Sequence, residues 1–400
     1  MVPRSRGLRV AASIANVVTL PVARALTSLV VVRVAGLETW GSFVGALLAV
    51  QLAASIIDWG SRDALVRSFS RAPSSMEATW RSATVTRALF LPIAPLAFLV
   101  LGFAPIDVAW MTIWLAGLFV TRMHDALVAQ RRAFGFAIST EVGATAGMVA
   151  AVLVLGQGTS VGWLIALFAV GAVARAVACL VRFRMLRPSA WRGRVDLGSL
   201  RQGWPFFALS FSGALGSRVD LYVVALLLTA SDLGRYQVLT GLLLVVQSLS
   251  AAVLAPSVPA LYRLSRSAVN AISVRLAGVG LALTLAGLAG MWAALRFLYQ
   301  FELPATVLVL AWLATLPPWL YLVHVHLAFR AGRERLVVGA NLTAIAVVVL
   351  GTLLLVPSVG LAGAVAAAAL GQVSVAAVVL IGVRRFQPNE ALNRRIPSEA

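Results

Sequence analysis

Residues 336–382 read LVVGANLTAIAVVVLGTLLLVPSVGLAGAVAAAALGQVSVAAVVLIG, with no charged side chain, between Arg330, Arg333 and Arg335 before and Arg384 and Arg385 after. A helix needs about 20 apolar residues to cross the hydrocarbon core of a bilayer. This stretch therefore holds two crossings, 336–356 and 360–382. Strands do not fit, because runs such as Leu361 to Leu370 do not alternate as a membrane barrel strand must. Backbone polar groups in lipid have to be satisfied within the segment, which a helix achieves. The same rhythm fills the rest of the chain, with further spans at 10–34, 41–58, 83–103, 108–128, 138–155, 161–181, 203–228, 236–257, 268–294 and 303–328. Composition agrees: 60% of residues are hydrophobic and 12% charged, and the mean hydropathy is +0.93. The sequence predicts an all-α integral membrane protein of about twelve transmembrane helices.

The basic residues orient these helices. All 33 are arginine. They gather in alternate connections: Arg4, Arg6 and Arg9; Arg62, Arg67, Arg71 and Arg81; Arg131 and Arg132; the loop Arg182–Arg201; Arg263 and Arg266; Arg330 to Arg335; and Arg384 onward. The connections on the opposite side hold Arg235 and Arg296. Cytoplasmic loops carry the excess of Lys and Arg, so both termini are expected in the cytoplasm, which requires an even number of spans. Arginine without lysine also hints at a GC-rich bacterial genome. The net charge of +19 reads as topology determinants beside anionic headgroups. No basic block interleaved with stacking aromatics offers a nucleic-acid surface.

Other chemistries find no support. Cys179 is the single cysteine and lies in an apolar span, so neither an internal disulfide nor a metal site is expected. His324 and His326, at i and i+2, do not share a helix face as a metal pair would. With His124 they read as interfacial residues. The connections are too short for a nucleotide-binding domain, and no Gly-rich loop followed by Lys is present. No cofactor is expected. The first span is too long for a cleaved signal peptide.

The chain repeats itself. Arg24 and Arg218 are 194 residues apart, as are Gly36 and Ala230, and Gly41 and Gly234 are 193 apart. Gln130-Arg131-Arg132-Ala133 with Glu141 echoes Arg330-Ala331-Gly332-Arg333 with Asn341, and Val161-Gly162-Trp163-Leu164 echoes Val359-Gly360-Leu361-Ala362. The expected organisation is a six-helix half at 1–195, a second at 196–383 and a cytoplasmic tail at 384–400. Two halves of six spans enter from the same side. They are parallel repeats about an axis along the membrane normal, an arrangement of alternating-access carriers, and as a pseudo-symmetric pair of bundles they would enclose a central cavity.

Several of these residues carry a family resemblance. The run Arg24…Arg33-Val34-Ala35-Gly36-Leu37-Glu38-Thr39-Trp40-Gly41-Ser42-Phe43 resembles the opening of polysaccharide-biosynthesis (Wzx-like) flippases. So do Asp58-Trp59-Gly60-Ser61, the turn Asp232-Leu233-Gly234-Arg235-Tyr236, and Val359-Gly360-Leu361-Ala362-Gly363-Ala364. These flippases belong to the multidrug/oligosaccharidyl-lipid/polysaccharide exporter superfamily. The resemblance implies twelve spans in two six-helix halves, where lipid II flippases usually carry fourteen. It also implies an activity: moving an undecaprenyl-diphosphate-linked oligosaccharide, a unit of O-antigen or exopolysaccharide, across the bacterial inner membrane. It leaves a polysaccharide polymerase or ligase open as a partner protein.

Charges inside the spans are the candidate site residues, because each costs on the order of 2.5–3.5 kcal/mol to insert and needs a partner, water or a cavity. Arg24 and its repeat mate Arg218 are candidates for holding the diphosphate; the alternative is a structural pair. Asp220 does not face Arg218 on the same helix, and Arg24 is one candidate partner for it. Asp220, Asp58 and Glu141 are candidates for ion coupling or gating, with Asp58 leaning toward a structural cap. Arg87 and Arg122 read as snorkelling to the cytoplasmic surface. Two rival functions stay open. A membrane enzyme would need acids within mutual reach, but the outer-side acids Glu38, Asp107, Asp232 and Glu302 are scattered singly. A drug or cation exporter would place acids, rather than arginines, in its cavity.

Overall fold

The computed structural model describes residues 3–131, 133–185, 193–216, 218–254, 257–261 and 266–385, with side chains from Pro21 onward except at residues 70, 71, 73, 202, 259, 260 and 266. Arg132, Arg187, Arg192, Arg263 and the tail beyond Arg385 lie outside this set, as do the side chains of Arg4, Arg6 and Arg9. Among the described residues all regular structure is helical. In chain order the helices are α1 (Pro3–Asp58), α2 (Ser61–Arg71), α3 (Met76–Ala88), α4 (Ile93–Val100), α5 (Pro105–Gln130), α6 (Phe134–Leu155), α7 (Val161–Arg182), α8 (Leu197–Gly216), α9 (Val219–Leu227), α10 (Ala230–Leu254), α11 (Val258–Leu261), α12 (Arg266–Ala293), α13 (Ala305–Thr315), α14 (Pro317–Arg330), α15 (Glu334–Val359) and α16 (Leu361–Arg385).

Ten helical stretches among the described residues are long and apolar enough to cross a membrane, and α8 with α9 forms an eleventh span across a 45° bend. The first of the ten, Pro21–Phe69, has 49 residues; unbroken it would run about 74 Å at 1.5 Å per residue. It is broken. Gly36, at φ 88° and ψ 165°, leaves helical geometry inside α1, a conformation open to glycine and costly for other residues. Arg122 shows that the two arms fold back on each other. It donates to Ser55 Oγ on the second arm at 3.4 Å and also lies within electrostatic reach of Arg24 on the first. Counting the arms separately gives twelve spans, in the order read from the sequence.

Local signals end these helices where expected. Ser160 caps α7 by accepting from the Trp163 N–H at 3.4 Å. Gly156 and Gly360, both at φ 57°, stop α6 and α15. Outward-facing apolar residues such as Val100, Val154 and Leu226 are more than four-fifths exposed, as befits side chains that face lipid tails.

The chain packs as two compact units. One is Thr19–Gly241; the other holds the described residues from Leu242 on, together with those before Thr19. The boundary thus falls inside α10, so that α8, α9 and the start of α10 pack with the first six spans. In the first unit Phe43, Trp114 and Phe168 meet at ring distances of 4.7–5.9 Å. In the second, Trp319 is buried with Leu254, Leu261, Val269, Leu276 and Val323, and small residues let α15 and α16 approach closely, Gly351 against Ala367 and Gly371 against Val348.

Within the first unit the second arm of α1 runs antiparallel to the α8–α9 pair. Gly41 lies against Ala230, Tyr222 donates to the Leu48 carbonyl at 3.2 Å, and Trp59 stacks on Phe207 at 4.2 Å. At both ends of this contact the backbones are too close for a Cβ. One on Gly41 would stand 1.7 Å from the Ala230 carbonyl oxygen, and one on Gly60 2.5 Å from the Phe207 nitrogen.

Candidate functional site

Arg24 is the starting point. On the first arm of α1, Val22 and Leu26 lie about 160° from it at 100° per residue and are exposed. The side that carries Arg24 includes Pro21, Ser28 and Val31, which are buried. Arg24 is thus accessible although it stands on the packed side of its helix. It makes no ion pair or hydrogen bond among the described residues, and its electrostatic neighbours are Arg218, Glu141, Arg122 and Arg175.

These neighbours come from four different spans. Arg218 lies at the break between α8 and α9, with φ −141° and ψ −3°, so its span is interrupted where the sequence suggests a continuous helix. Interrupted helices place polar groups at membrane depth in carriers. Arg24 and Arg218, repeat mates in the sequence, are brought into electrostatic reach of each other. The glycines of the repeat meet as well: a Cβ on Gly234 would stand 3.3 Å from the Gly41 nitrogen.

Glu141 on α6 pairs with Arg175 on α7 at 2.5 Å. Asp125 on α5 feels Arg62, Asp58, Arg175 and Arg122. Arg122 is therefore part of this charged layer. Asp220 is buried, and the Tyr236 hydroxyl donates to its Oδ2 at 2.6 Å. The phenol takes the place that the sequence reading offered to Arg24.

Asp58 closes the second arm of α1. Its carboxylate accepts from Ser61 Oγ, and the chain turns through Trp59 and Gly60 at φ 49° and 64°. Arg87 secures this turn. It is 1% exposed and donates from Nε to the Asp58 carbonyl at 3.0 Å and from Nη1 to the Ala83 carbonyl at 3.2 Å. The snorkelling reading of Arg87 is therefore corrected: a buried cation satisfies carbonyls left open at a helix C-terminus. His124 is likewise no interfacial residue. It is fully buried, its Nδ1 lies 2.7 Å from the Val120 carbonyl, and its ring packs on Trp80 and Phe183.

The structure brings together Arg24, Arg218 and Glu141 of the sequence candidates. Asp220 sits beside Arg218 but is engaged by Tyr236, and Asp58 is engaged by the turn. Sequence reading passed over Arg175 and Asp125. A signal for Arg175 was present, since it interrupts the apolar run Val173-Ala174-Arg175-Ala176-Val177. Asp125 sits among residues that resemble a cytoplasmic helix end. Among the described residues no group of three His, Cys, Asp or Glu is placed to hold a metal ion.

No family model matches the sequence, and no curated protein matches it either. Solved structures do. The lipid II flippase MurJ in an inward closed conformation aligns with a TM-score of 0.74 at 12% identity, over 94% of this chain and 87% of MurJ. An inward-facing multidrug-resistance MATE transporter of the MOP superfamily aligns with a TM-score of 0.60 at 12% identity, over 97% and 96%. The eukaryotic MATE transporter AtDTX14 gives 0.53 at 14% identity, over 97% and 98%.

The fold is that of the MOP-superfamily transporters. At 12–14% identity the likeness concerns the fold, and the chemistry rests on this chain's own charged residues.

Proposed function

We propose that the protein is a flippase. It carries an undecaprenyl-diphosphate-linked oligosaccharide, a polysaccharide repeat unit, from the inner to the outer leaflet of the bacterial cytoplasmic membrane by alternating access, without covalent chemistry. The observation that carries this reading is Arg24: accessible, with no ion pair or hydrogen bond among the described residues, and within electrostatic reach of Arg218 at the break between α8 and α9. A guanidinium at membrane depth needs an anion, and paired guanidinium groups suit phosphate oxygens. The sugars and phosphates then travel through a polar hollow while the polyprenyl chain stays in lipid. Both termini lie in the cytoplasm in this reading, on the arginine-rich side.

The acids speak against a cation exporter. Glu141 is tied to Arg175, Asp220 accepts from Tyr236, Asp125 stands among Arg62, Arg175 and Arg122, and the charges around Arg24 are the arginines Arg218, Arg122 and Arg175 with the single carboxylate of Glu141. The test is deletion of the gene, with lipid-linked glycans and surface polysaccharide measured together. One polyprenyl-diphosphate oligosaccharide should accumulate on the cytoplasmic leaflet and one surface polymer should disappear. Neither Arg24→Ala nor Arg218→Ala should complement. Intact glycans with a new sensitivity to cationic drugs would overturn the reading.

A further inference from the structure

The residues Gly193 to Asp196 lead directly into α8, and they lie along α3. Ser82 Oγ donates to the Arg194 carbonyl at 2.7 Å, and the Asp196 N–H donates to Thr86 Oγ1 at 2.9 Å. A Cβ on Gly193 would stand 2.6 Å from the Arg81 carbonyl oxygen, so glycine is what lets the two backbones come this close. Two spacings make the fit. Ser82 and Thr86 are four residues apart on a helix, a rise of about 6 Å, and two residues of non-helical chain, as from Arg194 to Asp196, reach up to about 7 Å.

This strap is held without an apolar anchor. Arg194, Val195 and Asp196 are exposed, Val195 by 51%, and so is Leu197, the first residue of α8, by 65%. A segment that buries no apolar side chain of its own and is tied by two hydroxyl groups opens locally at low cost. Water takes over its hydrogen bonds when it does.

Its place in the chain gives it leverage. Asp196 is tied to α3 and Leu197, next in the chain, begins α8, so no slack separates them. The start of α8 closes in turn on the end of α1: Trp59 Nε1 donates to the Leu200 carbonyl at 2.9 Å, and a Cβ on Gly203 would lie 3.5 Å from the Trp59 carbonyl oxygen. The α1 side of this seam is held by α3 as well, through the bond from Arg87 to the Asp58 carbonyl. One helix thus carries both sides, with Arg87 holding α1 and Ser82 and Thr86 holding the approach to α8.

We propose that residues 193–196 are a latch on the arginine-rich side of the protein. Docked on α3 they keep α8 against α1, and they leave α3 before α8 parts from α1 to admit cargo. This rests on the alternating-access part of the flippase reading.

The test uses the full chain in lipid nanodiscs, with Cys179 replaced by alanine and nitroxide pairs read by pulsed electron–electron resonance. Labels at Ile56→Cys and Arg201→Cys, two exposed positions, span the seam. Labels at Ala78→Cys and Val195→Cys, also exposed, span α3 and the strap. Thr86→Val leaves the Asp196 N–H without its acceptor while the strap is docked. It should raise the population of longer distances in both pairs about fivefold. Gly193→Ala sets a Cβ against backbone and should raise it at least as much. A strap that leaves α3 in these variants while the α1–α8 distances stay those of the parent chain would overturn the inference. So would a strap that stays docked in both variants. Neither result bears on the cargo, which the deletion strain tests by itself.

Discussion

Replacing Gly41 by alanine tests the antiparallel contact between α1 and the α9–α10 turn. The added Cβ would lie 1.7 Å from the Ala230 carbonyl oxygen and 2.9 Å from the Gly234 nitrogen, where ordinary contact begins at 3.4 Å. Both obstacles are backbone, so no side-chain rotation relieves them. The strands of backbone must part by up to about 1.7 Å, the difference between 3.4 and 1.7. Overpacking of this kind costs about 1–3 kcal/mol, which shifts the balance between a closed and a parted contact by roughly 5- to 150-fold. The gain in helix propensity from glycine to alanine, about 1 kcal/mol, is the same in both arrangements and cancels. Leu233 lies between Ala230 and Gly234 and is 5% exposed. With the single cysteine, Cys179, replaced by alanine, a cysteine introduced for Leu233 reports on the contact through its rate of reaction with a water-soluble maleimide. Gly41→Ala should raise that rate about tenfold or more. Gly45→Ala, one turn further along where nothing lies within 4 Å, should leave it unchanged. Equal rates in the two variants would refute the reasoning.

Three further outcomes are expected. Arg24→Ala should leave thermal stability within about 0.5 kcal/mol, because Arg24 has no ion pair to lose, while complementation fails; a large loss of stability would make Arg24 structural. Tyr236→Phe strands the buried Asp220 carboxylate and should destabilise the protein by about 1–3 kcal/mol, with Tyr236→Phe combined with Asp220→Asn recovering part of the loss in denaturation midpoints. Arg87→Ala should lower the unfolding temperature more than Arg67→Ala, since Arg87 is 1% exposed and donates to two carbonyls whereas Arg67 lies over the Phe206 ring at 5.7 Å with its charge in solvent; equal shifts would remove Arg87 from the turn at Asp58.

The amino-acid sequence by itself determined the all-helical class and the order of the membrane spans. Bilayer thickness imposes one length on every span, and the requirement for internal hydrogen bonds imposes one conformation, so hydropathy read along the chain suffices. The sequence also offers a repeat, in which Arg24 and Arg218 match at an offset of 194 and Gly41 and Gly234 at 193. Tertiary structure alone decided which charges meet. Arg87 and His124 both sit near helix ends, where a one-dimensional reading assigns them to the headgroups; the fold instead wraps protein around them, and their partners Asp58 and Val120 supply carbonyl oxygens. Arg175 could not be paired with Glu141, nor Asp220 with Tyr236, from spacing, since the helix rotations that aim each side chain follow from packing. The break at Arg218 falls inside a span that its length alone reads as one helix, beside the polar residues Arg218 and Asp220. A span is a property of a segment and its solvent, whereas a site inside the membrane is a property of how several segments turn toward one another.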